Sequence, residues 1–364
     1  MRLLEIDRVS HWYDKRAPRP VLDQVSLTMA AAELVALVGE SGCGKTTLGR
    51  LVAGLAVPTS GHIRYDGVEP ARLRRGERRV WRRSVQLIHQ DPFGSLNPGT
   101  TIGSTLGAAL VHHKLVSRRN LDEELVALLR QVGLEATQDF LRRYPHQLSG
   151  GQRQRVAIAR AVSLHPKLIV ADEVTSMLDA SMRVAVLDLL RSFREERGIG
   201  YLFISHDLGV VRYFAAGGRV VVMFYGMIVE EGPTEQVIFH PRHPYTALLL
   251  LAIPVPDPAL VGERRPLVAT MLEGPPASTG CVFANRCPFA EARCRATPPP
   301  LRDDGHGHRS ACFFPERVSD CYPGASPPAP GSGPPVNACA RDDRARRMGS
   351  IPIGPLLDTR SGSE

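Results

Sequence analysis

Three short stretches of this 364-residue chain carry residue types whose spacing suits phosphate chemistry. The first, `GESGCGKTT` at 39–47, fits G-x-x-x-x-G-K-[ST]. In that pattern Gly39, Gly42 and Gly44 let backbone N–H groups, with Ser41, curl around phosphate oxygens. The helix that follows adds the positive end of its dipole. Lys45 then reaches the β- and γ-phosphates, Thr46 offers a hydroxyl to a magnesium ion, and Thr47 closes the motif. The second, `LIVADE`, ends a buried run with Asp172 and Glu173, where ligands of parallel sheets bind. Asp172 suits a magnesium shell and Glu173 a general base for an attacking water. The third, `LSGGQRQRVAIARA` at 148–161, sets Ser149, two glycines and Gln152 at the start of a helix, a second phosphate-binding geometry.

These groups need a scaffold. Residues 3–9 and 21–29 alternate apolar and polar positions, as half-buried antiparallel strands do. `ELVALVG`, `SVQLIHQ`, `KLIVADE`, `GYLFISH` and `RVVVMFYG` are continuous apolar runs, separated by helix-compatible stretches such as 121–132, 151–164 and 180–196. Buried strands alternating with helices predict an α/β fold with a mostly parallel sheet covered on both faces. Around residue 240 this pattern stops, and proline and cysteine become frequent. From 323 to 364 the composition predicts a disordered tail. The expected organisation is therefore a nucleotide-binding domain over 1–240, an extension over 241–322 and the tail.

Hydrophobic content of 43% suits a globular protein. The N-terminus has no signal-peptide core, and `YTALLLLAIPVP` is too short to span a bilayer, so a cytosolic location is expected. The net charge of +8 has one concentrated source, `ARLRRGERRVWRR` at 71–83. Aromatics are scarce around it, which argues for a solvated helix face over a single-strand nucleic-acid platform. No nucleic-acid partner is expected.

Four cysteines, Cys281, Cys287, Cys294 and Cys312, stand at C-x₅-C-x₆-C-x₁₇-C. Without an export signal, stable disulfides are not expected. The spacing lacks the C-x₂₋₄-C pairs of structural zinc and is compatible with an iron–sulfur cluster; cluster, zinc and unliganded thiols all stay open on spacing alone. Cys43, Cys321 and Cys339 fall outside the set and read as free.

Taken in order, the motifs resemble those of an ABC-type ATPase subunit over residues 1–240: a P-loop NTPase domain with a helical subdomain. The resemblance implies that Tyr13 stacks on adenine, that `GESGCGKTT` is the Walker A loop, and that Gln90 in `LIHQDPFGSLNP` senses magnesium and the γ-phosphate. It further implies that Ser149, Gly151 and Gln152 of `LSGGQ` face the nucleotide of a partner. Asp172 and Glu173 would close Walker B, Asp179 would serve the D-loop and His206 in `ISHDL` would be the switch histidine. The cofactors implied are ATP and Mg²⁺, the metal held by Thr46, Gln90 and Asp172. Two positions depart from the pattern: Val174 replaces the usual proline after the glutamate, and Met177 the usual D-loop alanine. Neither removes a catalytic group, so hydrolysis is expected to survive with altered rate or coupling.

`HPRHPYTALLLLAIPVPDP` at 240–258, with the later `CVFANRC`, resembles the C-terminal extension of oligopeptide/dipeptide (and nickel) importer ATPases. That likeness implies import of peptides, with nickel-chelate or other small-solute uptake and drug efflux as alternatives. It also implies a second ATPase chain, two membrane permeases, an extracytoplasmic binding protein and a site at the cytoplasmic face of the membrane. It carries over a [4Fe–4S] cluster at the four cysteines, with Zn²⁺ as the alternative. Repair ATPases of the same superfamily would carry a coiled-coil or zinc insertion between Gly39 and Glu173, and none is present.

Overall fold

Each residue of `LVALV` (β3, Leu34–Val38) is buried, because both faces of this strand are covered. Leu34, Ala36 and Val38 enter one hydrophobic core, while Val35 and Leu37 enter another, as the two-residue period of a strand requires. The computed structural model describes residues 2–252 and 275–321. The expected tail at 323–364, with Cys339, and the Cys321 side chain lie outside the described residues.

Around β3 the central sheet is parallel. Strands β5 (Val85–Ile88), β6 (Leu168–Asp172), β7 (Gly200–Ser205) and β8 (Arg219–Phe224) pair in the order β8-β3-β7-β6-β5, all parallel. This agrees with the sequence reading. Crossovers put β6 between β5 and β7, so the loops after these strands converge at one edge. On one face, helix Lys45–Val52 lies under a separate antiparallel sheet, β2 (Leu22–Ala30), β1 (Arg2–His11) and β4 (Ser60–Tyr65).

On the other face sits a helical subdomain of Ile102–His112, Leu121–Gln131, Gln138–Arg142 and Gly150–Val162. Leu106, Leu110, Leu125, Leu129, Phe140 and Val156 supply its buried face. Local capping sets its helix starts: Thr101 Oγ1 accepts from Ser104 N–H and Thr137 Oγ1 from Phe140 N–H, both at 3.2 Å. The arginines of 71–83 belong mostly to helix Arg75–Ser84, whose single buried side chain is Trp81. They form the solvated face the sequence implied.

Packing is continuous across residue 240. Strand β9 (Met227–Pro233) runs antiparallel to β8, and its outer edge pairs with β11 (Arg309–Ser310), which pairs with β10 (Arg302–Asp303). Tyr245 and Leu248 of helix Pro244–Leu251 join the core of the helical face, as does Phe283. Among the described residues no helix is long and apolar enough to cross a membrane.

Candidate nucleotide-binding site

The loop between β3 and helix Lys45–Val52 turns tightly against two backbones. Gly39 has φ 152° and Gly44 φ 105°. A Cβ on Gly39 would stand 2.2 Å from the Met223 carbonyl oxygen, and one on Gly44 would stand 2.8 Å from that of Val21. Only glycine fits both positions. The Lys45 side chain is buried, and its Nζ donates to the carbonyls of Gly39 and Glu40 at 2.8 Å each. A cation folded onto its own loop is held in the concavity where a phosphate would compete for it. Ser41, Gly42 and Thr46 at the rim are exposed.

Thr46 Oγ1 donates to Asp172 Oδ1 at 3.2 Å, tying the start of this helix to the end of β6. Burial pushes the Asp172 carboxyl above its ordinary value, partly opposed by the Thr46 hydroxyl. A buried carboxylate beside a hydroxyl is the hard oxygen donor set that suits magnesium. One residue on, Glu173 takes φ 47°, a strained value for a residue with a Cβ. Its N–H donates to the Ile204 carbonyl at 3.0 Å, and its side chain lies where three loops meet. Gln90 Nε2 donates to Glu173 Oε2 at 2.8 Å, and His206 Nδ1 lies 3.0 Å from Glu173 Oε1. Residues from the ends of β5, β6 and β7 thus share one carboxylate.

Tyr13 is 61% exposed, and its hydroxyl lies 3.3 Å from Thr47 Oγ1, so an aromatic face stands open beside the loop. Ser149 and Gln152 form a reciprocal capping box, with Gln152 N–H on Ser149 Oγ at 3.2 Å and Ser149 N–H on Gln152 Oε1 at 3.0 Å. Gly151 behind them abuts Met182 of helix Ala180–Arg197. Asp179 caps that helix through Met182 N–H at 2.8 Å. The hydrogen bonds of Ser149, Gln152 and Asp179 stay local and do not join them to the phosphate loop. Of the two departures, Val174 is buried in the core and Met177 is exposed.

The four cysteines Cys281, Cys287, Cys294 and Cys312 come together. They line one cavity of about 20 Å³ with His243, Phe283 and Phe313, and none forms a disulfide. Burial pushes the Cys287 thiol up to about 12 and that of Cys312 up to about 11. Among the described residues no three His, Cys, Asp or Glu side chains stand as a single-ion site.

Comparison with known proteins follows the two halves of this geometry. The profile of the ABC transporter family matches residues 22–176, and that of the oligopeptide/dipeptide transporter C-terminal region matches 229–294. The probable peptide ABC transporter ATP-binding protein y4tS of Sinorhizobium fredii is 45% identical over 303 residues, 83% of this chain and 84% of the relative. The chain belongs to the ABC transporter ATP-binding proteins of the oligopeptide/dipeptide class. The oligopeptide transport ATP-binding protein OppF of Escherichia coli is 41% identical over 300 residues, covering 80% of this chain and 87% of OppF. Among solved structures, the ATP-binding cassette MJ0796, a dimer in a post-hydrolysis state bound to ADP and Pi, aligns with TM-score 0.57 and 28% identity over 64% of this chain and 98% of its own.

Three contacts of this ABC ATPase had no signal in local spacing. The Glu40 N–H of the phosphate loop donates to the Tyr245 hydroxyl at 2.7 Å, and its carboxylate is held by Arg286. A third, Arg183 Nη1 to Asp207 Oδ2 at 3.2 Å, links the helix after Asp179 to the loop after His206. Partners this far apart in sequence are found only by folding.

Proposed function

We propose that this ATPase hydrolyses ATP to power import of di- or oligopeptides through partner membrane permeases. The observation that carries the reading is the convergence of Gln90 and His206 on Glu173, one residue from the Asp172–Thr46 pair. Lys45 holds the β- and γ-phosphates, and the exposed Tyr13 ring stacks on adenine. Thr46, Asp172 and Gln90 would hold a magnesium ion, which would neutralise phosphate charge. Glu173 accepts the proton of the attacking water at a carboxylate oxygen, and His206 holds that carboxylate in place.

Ser149, Gly151, Gln152 and Asp179 serve the nucleotide of a second ATPase chain in head-to-tail arrangement, so closure depends on the γ-phosphate. The substrate class is supported by the names of the relatives and by the C-terminal region. Two permeases and an extracytoplasmic binding protein complete the assembly, with this chain at the cytoplasmic face of the membrane. Co-purification with partners and an uptake assay over a peptide panel tests the reading. ATP-dependent uptake of labelled peptide is expected; an assembled complex that hydrolyses ATP yet moves no peptide would overturn the substrate class.

On the same proposal the cysteine site holds a [4Fe–4S] cluster, with Zn²⁺ as the alternative. What supports a metal centre there is the gathering of the four cysteines around one cavity without a disulfide. Bound there, the cluster would supply folding free energy to an extension with little apolar core of its own.

A further inference from the structure

The geometry points to Arg286 as a positioning residue for nucleotide binding, carried by the cysteine-bearing extension and acting on the phosphate loop through Glu40. It rests on the reading of residues 39–47 as the nucleotide site. Arg286 lies in the loop between Cys281 and Cys287, yet its Nη1 and Nη2 donate to the two carboxylate oxygens of Glu40 at 3.2 and 2.8 Å. This is a bidentate fork across 246 residues of sequence. The guanidinium is buried, with the rings of Phe224 and Phe283 centred 5.2 and 5.4 Å from it.

Glu40 is held at every polar group. Its carboxylate meets Arg286, its N–H meets Tyr245, and its carbonyl accepts from Lys45 Nζ. Lys45 must exchange that carbonyl for a phosphate when nucleotide enters, so the position of residue 40 sets where the lysine and the loop N–H groups point. There is also a charge argument. A glutamate inside a phosphate-binding loop repels the polyphosphate, and in a partly desolvated site that repulsion is large. Arg286 cancels the charge and holds the carboxylate aside. Removing Arg286 therefore acts twice: it frees the loop and leaves an unpaired anion next to the phosphates.

The test is titration of the full-length chain with a fluorescent ADP analogue and magnesium, under which no turnover occurs. Wild type must bind and Lys45→Ala must not; if both fail to discriminate, the nucleotide-site reading itself falls, separately from the role of Arg286. Arg286→Gln is expected to weaken binding by about fivefold or more, the lower end of couplings between distinct sites. Arg286→Lys, which keeps the charge and loses the fork, is expected to lie between. Adding Glu40→Gln to Arg286→Gln is expected to restore part of the loss, which a merely structural arginine would not allow. If Arg286→Gln yields no folded protein, Arg286→Lys with and without Glu40→Gln reads the same coupling. Affinity within about twofold of wild type in Arg286→Gln, or a double variant no better than the single one, overturns the proposal.

Discussion

Glu230 and His308, 78 residues apart in sequence, share a hydrogen bond of 2.7 Å with both side chains almost wholly buried. The same carboxylate accepts from the backbone N–H groups of Arg242 and His243 at 2.7 and 2.8 Å. One side chain on β9 therefore fixes the turn into helix Pro244–Leu251 and the edge hairpin of the extension.

Glu230→Ala removes the acceptor of the His308 ring and of the Arg242 and His243 N–H groups. The expected loss is about 1–3 kcal/mol or more, the cost of leaving a buried hydrogen-bonding group unsatisfied, read from denaturant unfolding of purified protein. A loss under about 1 kcal/mol would place the support of the extension elsewhere.

Glu173→Gln keeps the shape at the end of β6 and removes the proton acceptor. Turnover in the assembled complex should fall by about 10²–10⁴-fold, the contribution of a positioned general base, with ATP binding retained. A fall of only about twofold would falsify the assignment.

Gly151→Ala separates fold from assembly. The new Cβ would stand 1.9 Å from Met182 Cε, the free end of a flexible side chain, which can swing away. Stability should change by less than about 1 kcal/mol, while ATP-driven association of ATPase chains, followed by size-exclusion in a Glu173→Gln background, should weaken. Association equal to that of the parent would show that Gly151 does not face a partner's nucleotide.

On the proposed head-to-tail arrangement the isolated chain should turn over ATP slowly, because half of each composite site would come from a partner chain. Specific activity should rise with protein concentration or added partner. Activity independent of both contradicts the head-to-tail arrangement.

Anaerobic purification should give a brown protein whose iron and acid-labile sulfide match one [4Fe–4S] centre per chain. Chelation of the iron should lower the unfolding temperature, because bound metal supplies folding free energy. A colourless anaerobic preparation with stoichiometric zinc decides for the alternative metal.

Much of this protein was legible in the sequence because the relevant interactions are local. The glycines of 39–44 and the serine and glycines that open the helix at 149–151 act within a few residues, and the burial of β3, β6 and β7 on both faces produces unbroken apolar runs. Only the tertiary structure placed Gln90 and His206 on Glu173, because sheet order, with β6 inserted between β5 and β7, decides which strand ends are neighbours. It also decided that β11 extends the sheet at β9, and that Arg286 reaches Glu40. Strands of two residues carry too little periodicity to be read. A long-range ion pair leaves no spacing at all, since its energy depends on burial and geometry that exist only once the chain has folded.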